Sequence, residues 1–254
     1  MQNPAQTSTH MRRAALRSSF YFHNNASLKF RSFTIALPIE MKHFLTRYFP
    51  LFPIIGMVIY VIVFAIAALD YPGGSYNLPQ YDGHSYFHNF LCDTMLPLTP
   101  GGELNLARPL AIMAHLILSA VMISFFYLLP EIFDRKNRNT KLMRVLGMLT
   151  MTVFIFMYTE YHDLIVVLTG ILGSLALIPF FIELRKFTHR GLTFIAILCY
   201  LMSIVVFFIF VTKIGYYYLP MLQKITFVVD AFWVIWVCWF VYQKRIRRGQ
   251  PLAL

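Results

Sequence analysis

Charge is scarce in this chain and acid scarcer still: 13% of its 254 residues are Asp, Glu, Lys or Arg, with 11 acids against 22 bases. So little charge cannot clothe a water-soluble domain of this size, and a 58% hydrophobic share exceeds what such domains carry. Cysteine is nearly absent. Cys92, Cys199 and Cys238 have spacings that give neither a disulfide framework nor paired metal ligands, and the last two sit in apolar runs that suit a buried thiol. The sequence contains no HExxH, no GxSxG, no glycine-rich phosphate loop and no haem-attachment motif, so none of those motif-borne chemistries is indicated. No motif recurs between pairs of hydrophobic runs, which weakens an inverted-repeat transporter. The net charge of +11 raises nucleic acid as a partner. However, the bases gather at the ends of hydrophobic runs instead of on one surface, so nucleic acid is not expected.

What the chain does have is six apolar runs, at residues 48–69, 109–129, 142–159, 164–182, 192–211 and 225–242. The first, at 1.5 Å per helical residue, reaches about 33 Å, enough to cross a hydrocarbon core. The expected fold is therefore all-α: a polytopic membrane bundle of six transmembrane helices over 48–243. A basic tail, 1–47, precedes it and a basic tail, 244–254, follows it. The N-terminal stretch is rich in Arg and Ser and has no acid before Glu40. It suits a transit peptide or, the reading preferred here, an unstructured tail or an over-long start with Met41 opening the protein. Nineteen of the 22 Lys and Arg residues, counting Arg144 just inside the third run, fall before the first run, between the second and third, between the fourth and fifth, or after the sixth. Only Arg108, Lys213 and Lys224 occupy the alternate connections. By the positive-inside rule both termini are cytoplasmic and the long connection 70–108 lies outside.

That connection is the longest polar stretch between hydrophobic runs and carries Asp82, His84, His88, Asn89 and Asp93. Ionisable groups within a membrane are costly and mark the default places to look for function. His115 lies six residues past Pro109, with Ser119 one turn deeper. Asp230 lies five residues into the sixth run, at a comparable expected depth, where pairing with Lys224, Lys213 or His115 would satisfy it. His162 and Asp163 sit at the turn between the third and fourth runs. The topology thus predicts one polar pocket lined by Asn89, Asp93, His115, His162, Asp163 and Asp230. A lipid headgroup or small polar ligand would suit it, with membrane lipids as partners and no cofactor. One alternative is a zinc-dependent membrane hydrolase acting on lipid, its metal held by His84, His88, His115 and His162, because the HxxxH spacing would align two imidazoles on a helix. The other is a proton-coupled carrier using His115 and Asp230. Unless they hold metal, His84 and His88 would cap the bundle together with nearby tyrosines. The KRIRR run at 244–248 is expected only to attract anionic headgroups.

The segments YDGHSY and NFLCD (Asn89 to Asp93), the His162-Asp163 pair and PMLQK (Pro220 to Lys224) resemble a bacterial integral membrane family without an assigned activity. That family is similar in layout to the six-span DRAM and Sfk-type proteins of eukaryotes. The resemblance spans about residues 48–245. It implies a six-helix fold in the bacterial inner membrane with a polar cluster on the outer side, and it implies no particular reaction.

Overall fold

The computed structural model describes residues 45–249. Among them six helices are long and apolar enough to cross a membrane: α1 (Leu51–Leu69), α2 (Arg108–Leu128), α3 (Arg138–Phe154), α4 (His162–Leu184), α5 (Arg190–Thr212) and α6 (Leu219–Gly249). No strand occurs among the described residues, only the isolated bridges Gly73 to Asp82 and Leu98 to Leu104 in the long loop. The fold class is thus the expected multi-pass helical one. The N-terminal tail falls outside the described residues up to position 44, and 250–254 likewise. Residues 244–249 continue α6 as helix.

Helix ends follow local chemistry more than hydropathy. The third helix starts at Arg138, ahead of its apolar run, because Asn137 and Thr140 form a reciprocal capping box: each side chain bonds the other's backbone N–H, at 3.0 and 2.9 Å. The sixth starts at Leu219, six residues before its apolar run. Pro220 fits a first helical turn, where a missing N–H costs little, and nothing between it and Ile225 breaks the helix.

Lipid tails are as apolar as leucine, so close packing rather than water exclusion holds such helices together. Gly56 of α1 shows this: a Cβ there would collide with the Val121 side chain of α2. Deeper in the bundle Trp233 of α6 stands edge-on to Phe125 of α2 and Phe180 of α4, with ring centroids 5.3 and 5.7 Å apart. At one end of the bundle, called here the basic end, Arg245 makes a two-pronged contact with Glu131 at 2.9 and 2.6 Å. Lys244 donates to the Glu131 and Ile132 carbonyls, both at 3.0 Å, and pairs with Asp134 at 2.8 Å. Lys244 and Arg245 therefore lock α6 to the end of α2. Their expected role as mere headgroup attractors is corrected, since bidentate geometry and carbonyl acceptors hold them within the protein.

The consecutive helices α4 and α5 behave differently from the others. Their backbones scarcely approach one another. No residue of α4 is buried from 166 to 175, and none of α5 from 200 to 212. Side chains bridge the gap between the two backbones: the Phe207 ring of α5 lies against Gly170 of α4, and Phe181 and Tyr200 stand with ring centroids 4.7 Å apart.

Candidate functional site

The loop between α1 and α2 is organised from within by two asparagines. Asn89 is fully buried. Its Oδ1 accepts from the Ser85 N–H at 2.8 Å, while its Nδ2 donates to the Gly74 carbonyl at 2.7 Å and to Asp93 Oδ2 at 3.0 Å. Gly74 presents that carbonyl from a left-handed turn, φ 80°, which a side chain would strain. Asn105 does the same for the next segment, donating to the Thr94 and Leu96 carbonyls at 3.0 and 2.9 Å and accepting from the Ala107 N–H at 3.1 Å. Three groups of α6 and the turn before it tie this lid down. Lys224 donates to the Asn89 carbonyl, Gln223 Oε1 accepts from the Leu91 N–H at 3.1 Å, and the Tyr217 carbonyl accepts from Asn77 at 2.9 Å.

Beneath the lid, between α4 and α5, lies a cavity of about 710 Å³. It is lined by Asp93, His115, His162, Asp163 and Asp230, five of the six residues read from the sequence. The sixth, Asn89, is turned into the loop framework and is not among the lining residues. Asp93 reaches the cavity from a short 3-10 turn, its Oδ2 held by Asn89 and by the Phe90 N–H at 2.8 Å. Burial pushes its carboxyl up, against those two hydrogen bonds and the attraction of Lys224. His115 donates its Nε2 proton to the Phe154 carbonyl at 2.9 Å, and His162 Nδ1 meets Asp163 Oδ1 at 2.9 Å on the rim.

Asp230 departs from expectation in two ways. Because α6 starts at Leu219, Asp230 lies eleven residues into the helix, about 16 Å at 1.5 Å per residue, whereas His115 lies only about 10 Å into α2. None of its three expected partners meets it. Lys224 is taken by the Asn89 and Pro220 carbonyls, Lys213 lies over the Phe210 and Tyr216 rings at 4.4 and 4.3 Å, and His115 is taken by Phe154. The polar group beside Asp230 is the Cys199 thiol.

Sequence reasoning missed Gln223 and Thr226, which line the same cavity. With Leu219, Phe227 and Asp230 they form one stripe at helical spacing. The spacing is visible in the sequence once α6 is begun at Leu219, and hidden when the helix is begun at Ile225.

Of the four histidines considered for zinc, His115 and His162 line the same cavity, whereas His84 and His88 lie in the lid and are not among its lining residues. His84 stands edge-on to Phe64 and Tyr71, ring centroids 6.1 and 5.8 Å away, and His88 packs 5.7 Å from Tyr217. Neither is on a helix, so the four-residue spacing does not align them. Among the described residues no three His, Cys, Asp or Glu side chains gather as a metal shell. Burial, with Lys224 nearby, pushes His84 down to about 4 from 6.5. A base depressed in the folded state contributes stability that is present above pH 6.5 and is lost as pH falls through about 4. The thermal midpoint of detergent-solubilised protein should therefore fall across that window, and less so in His84→Leu. Equal slopes for the two proteins would show that His84 does not carry the effect.

No family model, curated protein or solved structure matches this chain. Its site is accordingly read from its own geometry.

Proposed function

We propose that this protein binds an amphiphilic molecule drawn from the surrounding membrane. The polar part would meet the ionisable groups beneath the lid, and the hydrocarbon would lie along the apolar walls of α4 and α5. The observation that carries this reading is the 710 Å³ cavity where the α4 and α5 backbones stay apart, a volume that suits a small ligand. The cavity has carboxyl and imidazole groups from Asp93, His162 and Asp163 near the lid down to the deeper Asp230, and Val166, Leu177, Ile204 and Phe207 on its helical walls. A lipid-type ligand has the same two-part character. His84 and His88 stand apart from the cavity that His115 and His162 line, which lends no support to a four-histidine zinc site, and binding requires no bond to be broken.

Gly173 offers the test. A Cβ there would meet only Thr150 Cγ2 at 3.7 Å, ordinary contact, so a side chain can start from this cavity-lining position without displacing backbone. Gly173→Phe is expected to fold normally and to lower retention of a spin-labelled single-chain amphiphile at least tenfold. Undiminished retention would sink the reading.

We also place both termini, and the basic end, on the cytoplasmic side of a bacterial inner membrane, supported by the nineteen bases gathered at alternate connections and by the resemblance noted above. Labelling of an engineered terminal cysteine in intact cells by a membrane-impermeant maleimide would overturn that placement.

A further inference from the structure

The lining of the cavity runs against the charge of the chain. In a protein with twice as many bases as acids, three carboxylates line the cavity and no Lys or Arg does. Two of the three are accounted for: Asp163 by His162, and Asp93 by Asn89, the Phe90 N–H and the nearby Lys224. Asp230 has only the weak Cys199 thiol as a donor, and among the described residues no cation pairs with it.

A polar group without a hydrogen-bond partner stands one turn away. Thr226 is only 6% exposed, lines the same cavity, and its hydroxyl has no hydrogen-bond partner within the protein. Other helical hydroxyls in the bundle, those of Ser119, Thr150, Thr169 and Ser174, each donate to the carbonyl four residues back, at 2.7 to 2.9 Å. Thr226 does not, although that bond is the usual recourse of a hydroxyl in an apolar setting. Residues four apart on a helix share a face, so a carboxyl side chain without a cation and an unbonded hydroxyl stand one above the other in the cavity wall. Both can accept hydrogen bonds. The aromatic part of the wall also holds cations, because the chain's own Lys213 ammonium rests on Phe210 and Tyr216, two rings that line the cavity.

From this juxtaposition we infer that the ligand is a cationic amphiphile with an N–H-bearing ammonium head, its charge held by the Asp230 carboxylate and an N–H by the Thr226 hydroxyl oxygen. The inference rests on the amphiphile reading above and names its ligand class. A lone carboxylate deep in a bundle is expensive. A ligand ammonium supplies both the missing charge and the missing donor, whereas a phosphate head would meet three acidic side chains and no Lys or Arg.

The test compares four additives of equal chain length, dodecylamine, dodecyltrimethylammonium, dodecanol and dodecyl phosphate, on the full chain in a neutral maltoside detergent at neutral pH, read as shifts in thermal midpoint and as apparent affinity. Dodecylamine is expected to give the largest upward shift, dodecyltrimethylammonium a smaller one for want of an N–H, and the other two little. Asp230→Asn keeps the size and shape of the side chain and should weaken dodecylamine at least tenfold while leaving any dodecanol response unchanged. Thr226→Val should weaken dodecylamine less, and should erase its advantage over the trimethyl compound. Equal shifts from all four additives would overturn the ammonium assignment while leaving the amphiphile reading intact. No shift from any would overturn both, and an undiminished amine effect in Asp230→Asn would remove Asp230 from the role. Should Asp230→Asn not fold, the order of the four additives on the natural chain and the Thr226→Val comparison still decide the matter.

Discussion

Replacing Asn89 by alanine is expected to cost about 2 to 4 kcal/mol and to release the lid from the bundle. The side chain is fully buried, and its removal leaves the Ser85 N–H without its acceptor and takes one of two donors from Asp93 Oδ2. Gly74 suffers less, because its carbonyl keeps the Tyr71 hydroxyl as a donor at 2.9 Å. Asn89→Asp is expected to be at least as damaging at neutral pH. It preserves the acceptor for Ser85 but sets a second carboxylate against Asp93, at the 3.0 Å where a donor now stands, and like charges that close cannot both ionise cheaply. Asn77→Ala is the control, because its one bond, to the Tyr217 carbonyl, is exposed and should be worth well under about 1 kcal/mol. Thermal midpoints with hydrogen exchange over residues 70–107 would check the series. An Asn89→Ala protein as stable and as protected as the parent would show that the lid is held by something else.

The second large effect concerns Lys224. It is 3% exposed, and its ammonium donates to the Asn89 and Pro220 carbonyls and lies 5.5 Å from the centre of the Tyr86 ring. Lys224→Met keeps most of the volume and removes the charge, so the loss should be about 2 to 3 kcal/mol, the range for hydrogen bonds to charged groups. The penalty should also depend on pH. The Asp93 carboxyl is already pushed above its ordinary 3.8 by burial, so its neutral form is the one the fold favours. Stability from that preference is complete below pH 3.8 and is lost as pH rises through the raised value. Without Lys224 the carboxyl rises further and the ionised form becomes costlier, so the variant's deficit should grow from pH 4 to pH 7. A deficit that stays flat across that range would deny the coupling between the two groups.

Much of the fold was legible in the sequence because hydropathy and helix length are local properties. Six runs gave six helices, and the errors were at the ends, where Asn137 and Pro220 set the boundary instead of the first apolar residue. The grouping of Asp93, His115, His162, Asp163 and Asp230 around one cavity was legible too, since alternate crossings bring their positions to one end of the bundle. What could not be read was which faces meet. Hydropathy does not distinguish a helix face packed on a neighbour from one facing lipid, so the gap between the α4 and α5 backbones was invisible. Whether Asp230 has a partner was invisible for the same reason. The lid's framework escaped as well: Asn105 bonds carbonyls nine to twelve residues away, and no pattern of residue types announces that.

The most direct test of the central claim, an amphiphile bound between α4 and α5, is photolabelling of the protein in lipid nanodiscs with a diazirine-bearing single-chain alkylamine, followed by mapping of the modified residues. The account predicts labels on the cavity walls, at Met151, Leu177, Ile204 and Phe207, and their loss in Gly173→Phe. Labels confined to the lipid-facing side of α1, at exposed residues such as Ile55, Val58 and Ile62, and indifferent to Gly173→Phe, would contradict it.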